Sequence, residues 1–287
     1  MFAGLTRYRH KLYFLDLSNA YFHPKIEVVF FVCRTGTMEL SPADPKLFCS
    51  AIDALKEYLP VAQLHITKDG LRIRGMDVSH VGFVDYFLAA SDCALLTVSA
   101  PVVVGVNLAV LGRVLASVGD ATVTFSQKRD KFVISYANAK VSKKAVYEIS
   151  TMDIDMDSLE LPSELMFAAN VHAKTSDVLA TVKEVAQFGE AMTLCLDSDG
   201  FHLTASGDFG SAKQTLENTE GRDMELTEDS VSVRFGAKYV IGILKGGAAL
   251  SPNVQVEFDS TQPMRASFRF GAGSHFIAYL APKVSDD

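Results

Sequence analysis

The four cysteines of this chain, Cys33, Cys49, Cys93 and Cys195, stand far apart, and none belongs to a C-x-x-C pair. That spacing signals neither a zinc site nor a disulfide framework, and it fits free thiols in a reducing compartment. Long apolar runs are missing too. The longest near the N-terminus, Val28 to Cys33, is six residues, against the ~20 that a membrane-spanning helix needs. The chain therefore reads as soluble, with no membrane partner. Positive charge is in deficit, at a net −7 over 287 residues. By itself this argues against a simple nucleic-acid binder, because neutralising phosphates takes a basic surface.

Motifs that carry chemistry are scarce as well. The histidines (His10, His23, His65, His80, His172, His202 and His275) show no H-E-x-x-H or other ligand spacing. Gly207-Asp208-Phe209-Gly210 contains a D-F-G, but the Gly-rich loop, strand lysine and H-R-D loop of a kinase are absent. Asp153, Asp155, Asp157 and Glu164 fall on calcium-loop spacing, yet Ser158 stands where the sharp turn wants glycine and Pro162 interrupts the loop. No metal, cofactor or enzymatic activity is implied.

What is present is a globular composition, 48% hydrophobic and 21% charged, in a chain long enough for two domains. Residues 1–37 are rich in Tyr and Phe, carry Arg7, Arg9, Lys11, Lys25 and Arg34 against Asp16 and Glu27, and show no clean period. They read as an extension foreign to the rest of the chain, and an upstream in-frame translation accounts for them. From Met38 the character changes. In "SPADPKLFCSAIDALKEYL", Leu47, Phe48, Ala51, Ile52, Leu55, Tyr58 and Leu59 share one helical stripe, with Ser41 and Pro42 as start signals. A hairpin comes next, turning at Lys68-Asp69-Gly70. After it come a helix over 106–120 and a second hairpin turning at 128–131.

The same order recurs about 130 residues later. A helix spans 174–189, and a hairpin turns at Asp199-Gly200. A helix spans 235–248, and a closing hairpin ends the copy. The organisation predicted is an extension (1–37), a first domain (38–149), a connector (150–164) and a second domain (165–287). The connector "STMDIDMDSLELPSE" has five acidic residues, no base, and Pro162. The fold class is α+β, with two helices on antiparallel sheets in each domain.

The stretch "GMDVSHVGFVDYFL" (75–88) puts a Met, an Asp and a His in a polar knot between strand-like segments. A catalytic Asp77–His80 pair, a metal pair, and a turn that presents a methionine are all open readings of those residues alone.

Together, "GMDVSHVGFV", "GVNLAVLGRVL", "DGFHLTASGDFG" and the terminal "YLAPKVSDD" resemble the proliferating cell nuclear antigen (PCNA) family, the sliding clamps of eukaryotes and archaea, over about 38–287. The resemblance implies a homotrimeric ring of six similar domains, with helices lining a hole around duplex DNA. Such a ring is a processivity clamp without enzymatic activity of its own. Its partners would be double-stranded DNA, held without sequence preference, a clamp loader, DNA polymerase, and PIP-box proteins such as nucleases and ligases. Its place would be the nucleus, or a viral replication compartment. The alternative is a clamp-like scaffold subunit, checkpoint or viral accessory, that does not act as a replicative homotrimer.

Carried over by motif, the peptide pocket would comprise Met76, His80, Val81 and Phe83, then Leu159 and Leu161 from the connector, Pro263, and Tyr279, Ala281, Pro282 and Val284 from the tail. Met76 then supplies adaptable apolar surface. The proposed helices carry seven basic residues, Lys46, Lys56, Arg113, Lys174, Lys183, Lys238 and Lys245, against five acidic ones, although the chain is acidic overall. That segregation fits a phosphate-facing channel. Cys49, Ser50, Ala116 and Ala180 stand at family channel positions without a base, which implies a weakly positive channel. Ser198 stands where eukaryotic relatives carry a modifiable lysine. Ring closure is expected through edge strands that include Tyr147 on one copy and Ala212 on the next.

Overall fold

The computed structural model describes residues 5–16, 21–33, 37–119, 121–138, 142–154 and 165–283. The segment that shows no period in the sequence forms two strands, β1 (Leu5–Asp16) and β2 (Tyr21–Cys33). They pair antiparallel from Leu5↔Cys33 to Asp16↔Tyr21 as a sheet of their own. Its many aromatic and β-branched residues suit an extended ladder.

The first repeat runs β3 (Met38–Pro42), α1 (Pro45–Leu55), β4 (Val61–Thr67), β5 (Gly70–Met76), β6 (Gly82–Ala89), β7 (Cys93–Val98), β8 (Val102–Asn107), α2 (Leu108–Leu115), β9 (Thr122–Lys128), β10 (Lys131–Asn138) and β11 (Lys143–Ser150). The second runs β12 (Ala169–Lys174), α3 (Thr175–Val185), β13 (Ala191–Asp197), β14 (Gly200–Gly207), β15 (Gly210–Leu216), β16 (Asp223–Leu226), β17 (Ser230–Gly236), α4 (Ala237–Ala248), β18 (Asn253–Asp259), β19 (Gln262–Phe270) and β20 (Ser274–Leu280). Every strand of the first repeat thus has a counterpart nine strands further on.

Local chemistry repeats with the topology. Gly70 and Gly200 open the second strand of matching hairpins at φ +147° and +134°. A Cβ would stand 2.1 Å from the Leu88 carbonyl oxygen at the first and 2.7 Å from that of Leu216 at the second. Only glycine takes that backbone at that approach. Helix α1 begins later than its sequence signals indicate. Asp44 is its N-cap, accepting from the Leu47 N–H at 3.0 Å, and Pro45 opens the first turn. Ser41 and Pro42 instead finish β3, where the buried Ser41 hydroxyl donates to the Val123 carbonyl at 2.6 Å.

Three sheets carry the two repeats. One has five strands, ordered β11-β10-β9-β3-β7, and another has four, ordered β15-β14-β13-β17. The third has nine, β16-β12-β18-β19-β20-β6-β5-β4-β8, and passes from one repeat to the other where β20 pairs antiparallel with β6. The four helices pack side by side in the order α2-α1-α4-α3. They bury Leu55, Leu111, Val182 and Leu244 in one apolar core shared with the sheets. Among the described residues, no helix is long and apolar enough to cross a membrane.

Candidate functional site

Met76 and Gly82 end two neighbouring strands, and the five residues between them form a turn built on Asp77. Its side chain is 7% exposed. Oδ1 accepts the Val81 and Gly82 N–H groups at 2.8 and 2.6 Å, and Oδ2 accepts the Ser79 N–H at 3.1 Å. The Tyr239 hydroxyl, from α4 in the other repeat, donates to Oδ2 at 3.1 Å. Both carboxylate oxygens are therefore engaged by turn and helix donors, so the group organises the turn rather than facing a substrate or metal. Among the described residues no three His, Cys, Asp or Glu side chains converge as metal ligands. His80 is exposed at the tip, with φ +57°, and its N–H donates to the Asp77 carbonyl at 3.0 Å.

Beside the turn, cross-strand register sets Met76, Phe83, Tyr279, Arg265 and Glu257 in one row across β5, β6, β20, β19 and β18. Phe83 is 2% and Tyr279 8% exposed. Their rings meet at 6.0 Å, on the face of the sheet away from the main core. Burial raises the Tyr279 pKa above its ordinary value, against the opposing pull of the Arg265 guanidinium. Arg265 in turn binds Glu257 with both ends of its fork, at 2.6 and 2.5 Å, and lies over the Phe167 ring at 4.8 Å.

Pro263 and Ala281 are buried as well, and the Ala281 N–H donates to the Val81 carbonyl at 2.9 Å, tying the tail to the turn. Phe83, Tyr279, Pro263 and Ala281 are thus the buried members of the set expected from the sequence. The apolar rim consists of half-buried Met76, Val81 and Pro282 with Val78, which is 79% exposed. Leu159, Leu161 and Val284 lie outside the described residues. The sequence reading named neither Val78 nor Tyr239. Val78 stands inside the motif and is betrayed by an apolar residue in a polar turn. Tyr239 is 162 residues from its partner, and no local pattern marks it.

On the helix layer, Lys46, Arg113, Lys174, Lys183, Lys238 and Lys245 are exposed. Lys56 is half-buried and spends its charge on Asp53 at 2.6 Å within the same helix. Lys238 and Lys245 make no ion pair among the described residues. The two remaining strands of interest are sheet edges. Tyr147 lies on β11, the outer strand of the five-stranded sheet, and Ala212 on β15, the outer strand of the four-stranded one. Each offers an unpaired ladder of N–H and C=O groups on one side.

Comparison with known proteins matches the same two halves. The model of the N-terminal domain of proliferating cell nuclear antigen covers residues 38–160, and that of its C-terminal domain covers 162–283. The proliferating cell nuclear antigen of Chaetomium thermophilum is 26% identical over 246 residues, which is 82% of this chain and 94% of the relative. Proliferating cell nuclear antigen 2 of Drosophila melanogaster is 27% identical over 239 residues, 82% of this chain and 93% of the relative. The Saccharomyces cerevisiae protein is 26% identical over 262 residues, 87% and 99%. With two family domains in tandem and the repeated architecture, the chain belongs to the proliferating cell nuclear antigen family of DNA sliding clamps, which are scaffolds and not enzymes.

Proposed function

We propose that three copies of this chain close head to tail into a ring around duplex DNA in the nucleus, and that the ring tethers polymerase, nuclease and ligase partners through short PIP-box peptides. The observation that carries this reading is the chain's own repeat junction. Within one copy β6 pairs with β20, and the counterparts of those strands, β15 and β11, each stand at the outer edge of a sheet with one side unpaired among the described residues. A second copy supplies the missing partner on each side, and repeating one heterologous contact generates a ring when the rotation closes.

The register comes from the internal match. Val84 opposes Gly75 as Ala212 opposes Ala205, and Ala278 opposes Ala266 as Tyr147 opposes Ile134. Because Ala278 faces Val84 in the existing junction, Tyr147 of one copy faces Ala212 of the next. In such a ring the helix layer faces inward and presents its lysines to phosphates. The Met76–Val78–Val81–Pro282 rim, over its aromatic floor, suits a short helical turn with aromatic anchors.

Retention on DNA tests the whole reading. Protein assembled on a closed circular duplex should stay bound through a gel-filtration run and be lost once the circle is cut. Equal retention on circular and linear DNA would mean ordinary binding without encirclement.

A further inference from the structure

The sheet face that holds the Phe83–Tyr279 ring pair carries a basic cluster further along the same strands. Side chains alternate along a strand, so Arg74 and Arg72 share one face of β5 with Met76, and Asp85 and Phe87 share one face of β6 with Phe83. On that face β20 adds His275 and β19 adds Arg269. Register joins Arg269, His275, Phe87 and Arg72 into one row, two rows from the one that holds Met76 and Phe83.

Charge and hydrogen bonding are both unbalanced at this place. Asp85 is 5% exposed. Its Oδ2 accepts the Arg74 Nε–H at 2.9 Å, while Arg72 Nε stands 3.2 Å from Oδ1 without hydrogen-bond geometry. Arg72 Nε, Asp85 Oδ1 and His275 Nε2 are thus buried polar atoms with no hydrogen-bond partner among the described residues. Buried groups left in that state are rare, because each forfeits its bonds to water. The His275 ring packs on Phe87 at 5.5 Å, and the Arg72 guanidinium lies over the same ring at 5.1 Å. Burial, joined by Arg72, Arg269 and Arg74 and opposed by Asp85, holds the His275 pKa below its ordinary value. The arginines therefore share a single carboxylate, and Arg269 is exposed with no acidic partner among the described residues.

Resting on the peptide-docking reading, we infer that this face takes an acidic segment flanking the docked anchor of a partner peptide. Its Asp or Glu carboxylates pair with Arg72, Arg74 and Arg269, and its backbone polar groups meet Asp85 Oδ1 and the His275 ring. A guanidinium suits a carboxylate because its donors form a fixed fork. Arg72 is four residues from Met76 along β5, a span of roughly 13 Å at the strand rise, so the acidic residues belong about four positions from the anchor in an extended peptide. The overall charge of the chain makes the preference diagnostic. At a net −7 the protein repels acidic peptides in general, and favouring one requires a local site of opposite sign.

Calorimetric titration of the full chain with two PIP-box peptides tests this. The peptides share the anchor, and their flanks carry Asp and Glu in one and Asn and Gln in the other. The acidic peptide should bind about tenfold more tightly at low salt, and the advantage should shrink as salt screens it. Arg72→Gln with Arg269→Gln should abolish that advantage and leave affinity for the neutral peptide unchanged. Arg269→Gln alone, at an exposed position, should reduce it, and this variant serves if the double one folds poorly. Equal affinity for the two peptides would overturn the inference while docking stands. If neither peptide binds, the docking reading fails and this inference with it. An advantage that survives in a folded double variant would place the acidic contact elsewhere. Were the chain's own acidic connector the occupant, the preference would be missing in the native chain and appear only with Asp155→Asn, Asp157→Asn and Glu160→Gln, a result that also overturns the inference.

Discussion

Asp77 shows how one side chain decides what a surface can do. It accepts three N–H groups from its own turn and the hydroxyl of Tyr239. Its loss should therefore unmake the turn that presents Met76 and Val78. Asp77→Ala leaves buried donors unsatisfied and should cost about 2 kcal/mol or more, by the usual penalty for orphaned groups. Tyr239→Phe removes a single bond and should cost about 1 kcal/mol on the same scale. Chemical denaturation with a parallel peptide titration distinguishes the two sites of action. Both variants should lose peptide affinity even at temperatures where they are fully folded. Met76→Ala acts differently, because it takes apolar rim from the peptide and not a support from the turn. Burying such a side chain is worth roughly 1.5–3 kcal/mol, so affinity should fall by about one to two orders of magnitude with little change in melting. A melting loss with full affinity would put Met76 in the structural support of the fold and not in the docking rim.

At the scale of elements, the helices and hairpins were legible because each is a local pattern. A stripe of apolar residues at helical spacing, or Asp-Gly between two alternating runs, reports itself within a dozen residues. The β6–β20 pairing was not legible, since Phe83 and Tyr279 lie far apart in sequence and nothing local names the partner. Nor could the pocket be divided into rim and floor. Phe83 and Val81 look alike in sequence, but Phe83 sits on β6 with its ring against Tyr279, whereas Val81 belongs to the turn before the strand and stays half-exposed.

A clasp beside this junction was equally hidden. The Asp92 carboxylate accepts the N–H groups of Ala272, Gly273 and Ser274 and the Ser274 hydroxyl, joining the turn after β6 to the turn between β19 and β20. Burial works to raise its pKa, but the Ser274 hydroxyl and the three N–H groups outweigh that and hold it below the ordinary carboxylate value. A depressed folded-state pKa contributes stability above the unfolded value, about 3.9, and that contribution is lost as pH falls through the folded value. Asp92→Asn should therefore lower melting at neutral pH and flatten the acid limb below about pH 4. An acid limb identical to that of the native chain would show that the clasp contributes nothing.

For the whole molecule the governing quantity is where charge sits. The chain carries −7 overall, yet the exposed face of its helix layer holds Lys238 and Lys245 without ion-pair partners among the described residues, while Lys56 is already bound to Asp53. In the proposed ring, encirclement holds the DNA first and a thin set of phosphate contacts second. Each contact releases condensed counterions, so the logarithm of the binding constant falls with the logarithm of salt by about 0.9 per phosphate neutralised. Replacing Lys238 and Lys245 with Glu removes two contacts per copy and adds repulsion. The salt slope for binding to open linear duplex should therefore become shallower, with the largest loss of affinity at low salt and convergence with the native chain at high salt. Retention on closed circular DNA, which depends on encirclement, should persist in the same variant. Binding curves across a salt series, run on linear and circular substrates, read both quantities. An unchanged slope would move the phosphate contacts off α4, and loss of circular retention with a trimer still intact would mean that those lysines hold the ring on DNA rather than merely lining it.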